Sequence, residues 1–388
     1  MKQEPIPYGR QHITDEDIAA VVKVLKSDYL TQGPLIEEFE KAFANYIGSK
    51  YAVAVANGTA ALHLAVLALG VNNGDKVITS PITFAASANC ILYAGAEVEF
   101  CDIDEKTYTI DINKVEKLLA SKPIGTYRGI IPVDLAGYAV DIERLRKLAD
   151  QYGLWILEDA CHAPGGGFID SQQKLQLCGN TNYADAAIFS FHPVKHIATG
   201  EGGMITTNRK DIYEKLLLLR THGITKQSNL MHENHGGWYY EMLELGYNYR
   251  LTDIQAALGI SQLSRASQGL NKRREIANIY NKQLCKVGDI VLPYVAENVQ
   301  HAYHLFIIKT QRRKELYEFL KSKNIFTQVH YIPIHTFPYY NRKGWKKGDF
   351  PVAENYYEQC LSLPMFPTLT NEQQDYVIYS IKEFFKTE

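Results

Sequence analysis

The sequence predicts an α/β protein in which a mostly parallel, mixed sheet lies between helices and is followed by a smaller α+β unit. Three observations lead there. Short apolar runs alternate with helical patterns through the first half of the chain. A long helical stretch over 252–284 then breaks that alternation, and a new mixture of strands and helices begins after Leu292 and Pro293. Taken in order, the chain reads as strand 51–56, helix 59–69, strand 76–80, helix 85–93, strand 97–101, strand 129–133, helix 141–152 and strand 154–157. Strands at 186–189 and 204–207 follow. The last third reads as strands near 304–309 and 326–331 and helices near 313–322 and 371–385. Strands separated by helical segments form parallel sheets covered on both faces, and such sheets bind ligands at the carboxyl ends of their strands. The expected division is a large domain over 1–265, with the amino-terminal segment, and a smaller one over 266–388 that includes the connecting helix.

A chain of 388 residues, 46% hydrophobic and 22% charged, is long enough for two such units. Its formal net charge of −2 and the absence of any basic run argue against a nucleic-acid or anionic-membrane surface. No apolar run approaches membrane-spanning length, and the first residues lack the apolar core of a signal peptide. The six cysteines fall mostly in apolar stretches without a CxxC pair, as expected of reduced thiols. These features lead to the expectation of a cytoplasmic protein with no membrane or nucleic-acid partner.

The chemistry starts at Lys195, which lies between an apolar run and the strand-like Met204–Thr207 segment, within Ser190-Phe191-His192-Pro193-Val194-Lys195 and before Gly200-Glu201-Gly202-Gly203. Upstream, Trp155-Ile156-Leu157-Glu158-Asp159 reads as a buried strand that delivers a carboxylate at its end. A lysine and a strand-end aspartate are what pyridoxal phosphate requires. The amine forms a Schiff base with the aldehyde, and the aspartate keeps the pyridine nitrogen protonated. An ionised group ending an apolar strand is costly unless paired; a structural ion pair is the competing reading of Asp159.

Asn57-Gly58-Thr59-Ala60-Ala61 lies where a strand gives way to a helix, so free N–H groups there can hold a phosphate. A tight turn with Thr59 as the helix cap is the alternative. Ser190 can add a hydroxyl to the same phosphate or be a satisfied buried serine. Phe84, at a helix start, can stack on a planar ring or belong to the core. His162 can reach the cofactor's phenolic oxygen or fill space. Two tempting motifs fail. Gly165-Gly166-Gly167 lacks the ending of a P-loop, and His232-Glu233-Asn234-His235 has the wrong spacing for a zinc helix, so no metal site is expected.

Together with Leu30-Thr31-Gln32-Gly33-Pro34, Thr83-Phe84, Gly246-Tyr247-Asn248-Tyr249-Arg250 and His330-Tyr331, these motifs resemble, in order and over essentially the whole length, the DegT/DnrJ/EryC1/StrS sugar aminotransferases. That family is a branch of the fold type I pyridoxal phosphate enzymes. The resemblance implies that Lys195 binds the cofactor and moves the proton, and that Asp159 pairs with the pyridine nitrogen. Phe84 would stack on the ring, while Gly58, Thr59, Ala60 and Ser190 would bind the phosphate, with His162 at the phenolic oxygen. Many members carry Gln where this chain has His162. Asn248 and Arg250 would reach into a neighbouring subunit's site, which implies a homodimer, and His330 and Tyr331 would lie near the sugar.

Tyr8, Tyr29, Leu30 and Thr31, with His335 and Tyr339, are candidate sugar contacts or else packed residues. Relatives that are dehydratases have His at the lysine position, whereas Lys195 is intact. The opening Ile6-Pro7-Tyr8-Gly9-Arg10-Gln11, the Phe191-His192-Pro193-Val194-Lys195 run and Asn248-Tyr249-Arg250-Leu251 look closest to the pseudaminic acid branch. Its members are UDP-4-amino-4,6-dideoxy-N-acetyl-β-L-altrosamine transaminases. The implied partners are therefore L-glutamate and a UDP-linked 4-keto-6-deoxy-N-acetyl sugar. The alternatives are a dTDP- or GDP-linked keto sugar, amination at C3, or a regulatory protein that binds the cofactor without catalysis.

Overall fold

The computed structural model describes residues 4–386; positions 1–3 and 387–388, which belong to the expected domain ranges and to the amino-terminal reading, lie outside the described residues. Nine strands build the first part: β1 (Tyr51–Val55), β2 (Lys76–Thr79), β3 (Glu97–Phe100), β4 (Gly129–Ile131), β5 (Trp155–Asp159), β6 (Gly167–Ile169), β7 (Leu175–Leu177), β8 (Ala186–Ser190) and β9 (Gly203–Thr207). Seven of them form one sheet in the order β1-β9-β8-β5-β4-β2-β3. Neighbouring strands are parallel except at β9, which runs antiparallel to both β1 and β8.

Eight helices accompany them: α1 (Asp15–Leu25), α2 (Pro34–Ile47), α3 (Gly58–Ala68), α4 (Ala86–Tyr93), α5 (Ile112–Ala120), α6 (Ile142–Tyr152), α7 (Lys210–Arg220) and α8 (Asp253–Ser264). Side chains alternate across a strand, so the sheet needs a cover on each face. Ile156 joins the apolar cluster formed with α2, α5 and α6, while its neighbour Leu157 joins the cluster on the other face with α3, α4 and α7. The two coverings differ in kind. Helix α6 is amphipathic, burying Ile142, Leu145, Leu148 and Ala149 along one stripe. Helix α3 is apolar almost all round and is buried along nearly its whole length.

The expected continuous helix over 252–284 is two helices, because the chain breaks at Arg265 before α9 (Ala266–Leu284). The guanidinium of Arg265 is drawn to Asp17 of α1 and to the carbonyl of His12. Helix α9 then spans two cores. Ala266 and Leu270 pack with the sheet, whereas Ile276, Ala277, Tyr280 and Leu284 pack with the carboxyl-terminal unit.

Two short strands, β10 (Ile224–Thr225) and β11 (Glu241–Met242), pair across the loop before α8, and β12 (Val299–Gln300) adds to β6. The carboxyl-terminal unit pairs β13 (Phe306–Lys309) with β14 (Cys360–Leu363) and surrounds them with α10 (Arg313–Ser322), α11 (Pro338–Asn341), α12 (Pro351–Gln359) and α13 (Asn371–Lys386). The strand expected near 326–331 does not form. Only single bridges occur, Ile325 with Ile6 and Gln328 with Ser362, and His330 turns its Nδ1 toward the Ser362 hydroxyl at 2.8 Å instead of continuing a ladder. Ile6 packs into this carboxyl-terminal core, so the amino-terminal segment, expected with the large domain, also ties down the smaller one. A fourth cluster, with Ile82 and Phe100 from one side and Leu305, Ile334 and Tyr356 from the other, joins the two units.

Candidate active site

The parallel strands point their carboxyl ends at one cavity of about 470 Å³. The segment after β1 contributes Asn57, Gly58 and Thr59, that after β2 contributes Thr83 and Phe84, the end of β5 and the turn beyond it contribute Asp159, Cys161 and His162, and β8 contributes Ser190. Lys195 enters from the connection between β8 and β9. Tyr8, His304, His330 and Tyr331 complete the wall from the carboxyl-terminal side.

The turn after β1 is built to hold an anion. Asn57, not Thr59, caps α3, its Oδ1 accepting the N–H of Ala60 at 2.8 Å. The N–H of Ala60 is thus engaged by the cap. The N–H groups of Gly58 and Thr59 precede any intrahelical acceptor and sit at the positive end of the helix dipole. Close approach requires glycine here. A Cβ on Gly58 would meet the Ser190 Cβ at 3.0 Å, and one on Gly203 would meet the carbonyl oxygen of Asn57 at 2.5 Å.

Asp159 is buried and accepts two hydrogen bonds, from the Ser87 hydroxyl to Oδ2 at 2.7 Å and from the Cys161 N–H to Oδ1 at 3.2 Å. Both donors are neutral, so the alternative of a structural ion pair is not what the site contains. The charge of Asp159 is left for a cationic atom in the cavity. Because the hydrogen of Ser87 is committed to Asp159, Thr83, whose Oγ1 lies 2.8 Å from the Ser87 Oγ, must donate to Ser87. This relay of buried hydroxyls was not anticipated from the sequence. Its signal is a serine one turn beyond Phe84 in an otherwise apolar helix start.

Burial pushes the Lys195 amine below the ordinary lysine range, against the opposing pull of Asp159. His162 is buried, and its Nδ1 accepts the N–H of Ala136 at 3.2 Å, which leaves the ring hydrogen on Nε2, 3.2 Å from the Tyr331 hydroxyl. Burial, with the charge of Lys195 beside it, holds this imidazole well below its usual range and neutral. His304, also missed by the sequence reading, lies with its ring 4.4 Å from that of His162, tilted by 32°. His330 sits beside Tyr8, and burial lowers it to about 3. Phe84 is 63% exposed at the cavity edge, an aromatic face without a core to fill.

Several expected residues lie elsewhere. Tyr29 lines a separate groove with Pro34, Leu35 and Asp253, Leu30 is exposed, and Thr31 bridges Thr252. Arg250 borders a depression with Glu40 and Arg220, and Asn248 bridges Thr221 at the surface. His335 is fully buried and 2.9 Å from Glu354, a core pair and not a sugar contact, and Tyr339 packs on Tyr340 outside the cavity. Gly165 and Gly166 form a turn before β6, and 232–235 is an exposed loop organised around Glu241. No helix among the described residues is long and apolar enough to cross a membrane.

The cavity's chemistry matches pyridoxal phosphate at each end: free helix-start N–H groups with Ser190 for a phosphate, an exposed ring face for stacking, an unneutralised carboxylate for the pyridine nitrogen and a lysine amine between them. The sequence profile of the DegT/DnrJ/EryC1/StrS aminotransferase family matches residues 11–382. The chain is 38% identical to a UDP-4-amino-4,6-dideoxy-N-acetyl-β-L-altrosamine transaminase of Campylobacter jejuni, over 98% of each chain. It is 35% identical to a GDP-perosamine synthase of Escherichia coli O157:H7, again over 98% of each. The solved structure of Helicobacter pylori PseC, an aminotransferase involved in the biosynthesis of pseudoaminic acid, superposes with a TM-score of 0.89 at 30% identity, covering 99% of this chain and 100% of that one. The chain thus belongs to the DegT/DnrJ/EryC1/StrS aminotransferase family, with the fold and the pyridoxal phosphate cofactor of its sugar aminotransferases.

Proposed function

We propose that the protein moves the amino group of L-glutamate to C4 of UDP-2-acetamido-2,6-dideoxy-β-L-arabino-hexos-4-ulose. The products are UDP-4-amino-4,6-dideoxy-N-acetyl-β-L-altrosamine and 2-oxoglutarate, as in pseudaminic acid biosynthesis. The observation that carries aminotransfer is the convergence of Lys195 and Asp159 on one cavity that also contains a phosphate cradle. The choice of sugar is supported by the full-length likeness to the Campylobacter jejuni transaminase.

The cofactor supplies an electron sink and a temporary carrier for the amino group. The chain supplies the rest. Gly58, Thr59 and Ser190 hold the phosphate, Phe84 covers one ring face, and Asp159, aligned by Ser87, keeps the ring nitrogen protonated. Burial lowers the Lys195 amine below the ordinary lysine range and so favours its free base, which lets Nζ move a proton on and off the substrate carbon in each half-reaction. Neutral His162 and Tyr331, 3.2 Å apart, line the same cavity. Tyr8 and His330 border the opening, where a sugar would enter.

We further infer a homodimer with shared sites in the cytoplasm. Asn248, Arg250 and the Tyr29–Thr31 turn lie outside their own chain's cavity, and the surface near them exposes Leu30, Trp238, Met242 and Leu245. Such a patch fits a subunit interface.

An absorbance titration tests the substrate. The protein is converted with L-glutamate, then offered UDP-, dTDP- and GDP-linked 4-keto-6-deoxy sugars separately while the visible cofactor band is followed. Return of the band with the UDP-linked N-acetyl sugar is expected. Return only with a GDP-linked sugar would replace this reading with the second one, which the likeness to GDP-perosamine synthase favours. No response to glutamate would point to a non-catalytic protein.

A further inference from the structure

On the face of β5 opposite Asp159 lies a second acidic group that the aminotransfer chemistry does not use. Glu158 points there by strand alternation and meets Asp134, from the segment after β4, and Cys178, which follows β7. The ligand atoms of the three side chains lie within 4.8 Å of one another, and all three residues are buried. Oδ1 of Asp134 accepts the N–H of Val140 at 2.9 Å, and Oε2 of Glu158 accepts the N–H of Gly179 at 3.0 Å. Oδ2 of Asp134, on a side chain with no exposed surface, has no donor.

We propose that Asp134 and Glu158 share one proton, forming a buried acid–carboxylate pair that positions Asp159 from behind. Two ionised carboxylates this close together, both buried, would leave lone pairs facing one another. A single hydrogen on Glu158 gives Oδ2 its missing donor and lets the pair carry one charge. The other ionisable groups acting on the pair are Asp159, the next residue on β5, and Cys178, and neither supplies a positive charge. Burial pushes Asp134 up to about 6, and burial with the charge of Asp134 pushes Glu158 well above its usual range.

The link to the site runs through the backbone. The N–H of Asp134 donates to the carbonyl of Asp159 at 3.1 Å, and the N–H of Asp159 donates to the carbonyl of Pro132 at 2.9 Å. The proton therefore clamps together the two segments that fix the backbone of Asp159. It also keeps a second negative charge away from the carboxylate that must remain ionised beside the cofactor.

Infrared difference spectroscopy of the holoenzyme at neutral pH tests the pair. The expected spectrum contains a carboxylic-acid C=O band that disappears in Glu158→Gln and shifts in Asp134→Asn, where the acceptor becomes a neutral amide. A band that survives Glu158→Gln, or does not move in Asp134→Asn, overturns the shared proton. The positioning role predicts that Asp134→Asn weakens pyridoxal phosphate binding about tenfold, or about 1.4 kcal/mol. An unaltered dissociation constant in that variant overturns the role.

Discussion

The hydroxyl of Ser87 donates to Oδ2 of Asp159 across 2.7 Å, joining the first turn of α4 to the end of β5. A carboxylate meant to hold a cationic ring nitrogen must keep its orientation, and this bond fixes it. Ser87→Ala is expected to leave the fold intact and weaken cofactor binding by roughly tenfold, the scale of one lost hydrogen bond to a charged group. Equilibrium dialysis against pyridoxal phosphate measures it. An unaltered affinity would show that Cys161 N–H suffices to hold Asp159.

Lys195→Ala should abolish turnover while the protein still melts cooperatively and retains the phosphate cradle. Multiple-turnover assays with L-glutamate and keto sugar provide the check, with thermal unfolding as the control. Appreciable turnover would contradict the role given to Nζ.

Gly58→Ala should lower cofactor affinity, because the new Cβ would stand 3.0 Å from the Ser190 Cβ and push apart the two sides of the cradle. The same change should weaken inhibition by free inorganic phosphate. Competition of phosphate with cofactor reconstitution separates this effect from a general loss of stability.

Asp17 makes acid stability testable. Burial would raise its carboxyl, but the Arg265 guanidinium, the Ser261 hydroxyl and the Thr14 N–H outweigh that and lower it from 3.8 to about 2. A depressed carboxyl contributes stability that is complete above its unfolded value and lost as pH falls through the folded one. Wild-type stability should therefore decline between about pH 4 and 2. In Arg265→Ala the protein should be weaker at neutral pH, with a shallower decline in that acid window. Denaturant unfolding across the range tests both.

Arg273 is a buried cation that satisfies carbonyls, donating from Nη1 to Tyr303 at 3.3 Å, His304 at 3.1 Å and Met365 at 3.0 Å. Burial lowers it to about 10, so it stays charged at neutral pH. Arg273→Leu leaves those acceptors without a donor and should cost about 3–5 kcal/mol. Chemical denaturation gives the value directly.

The sheet was legible because its strands are short, mostly buried and separated by helical segments, and Asp159 was legible because a charge ends an apolar run. The 326–331 segment misled because Phe326, Thr327, Val329 and Tyr331 give it the aromatic and β-branched composition of a strand, while it pairs only through single bridges. At the break, Arg265 is held by Asp17, 248 residues away, and no local pattern reports such a contact. Ser87 and His304 were passed over for the same reason: each looks like core until Asp159 or His162 arrives beside it. Tyr29 was grouped with the sugar contacts, whereas the single chain places it in a separate groove; Arg250, expected to serve a neighbouring subunit's site, lies outside its own cavity.

The antiparallel course of β9 has a mechanical consequence for the lysine. The chain leaves the sheet after Ser190 and returns at Gly203, its cross-strand partner, so Lys195 rides on a closed loop whose two feet stand side by side. Phe191 and Gly202 bond across those feet at 2.8 Å, and Thr199 bonds back to Phe191 at 2.9 Å. His196, the next residue, also bonds through Nε2 to the carbonyl of Ala302 at 3.0 Å, so the loop is held from the segment before β13 as well. The amine therefore reaches its successive partners by rotating its own four-carbon stem, on a loop tied at both feet.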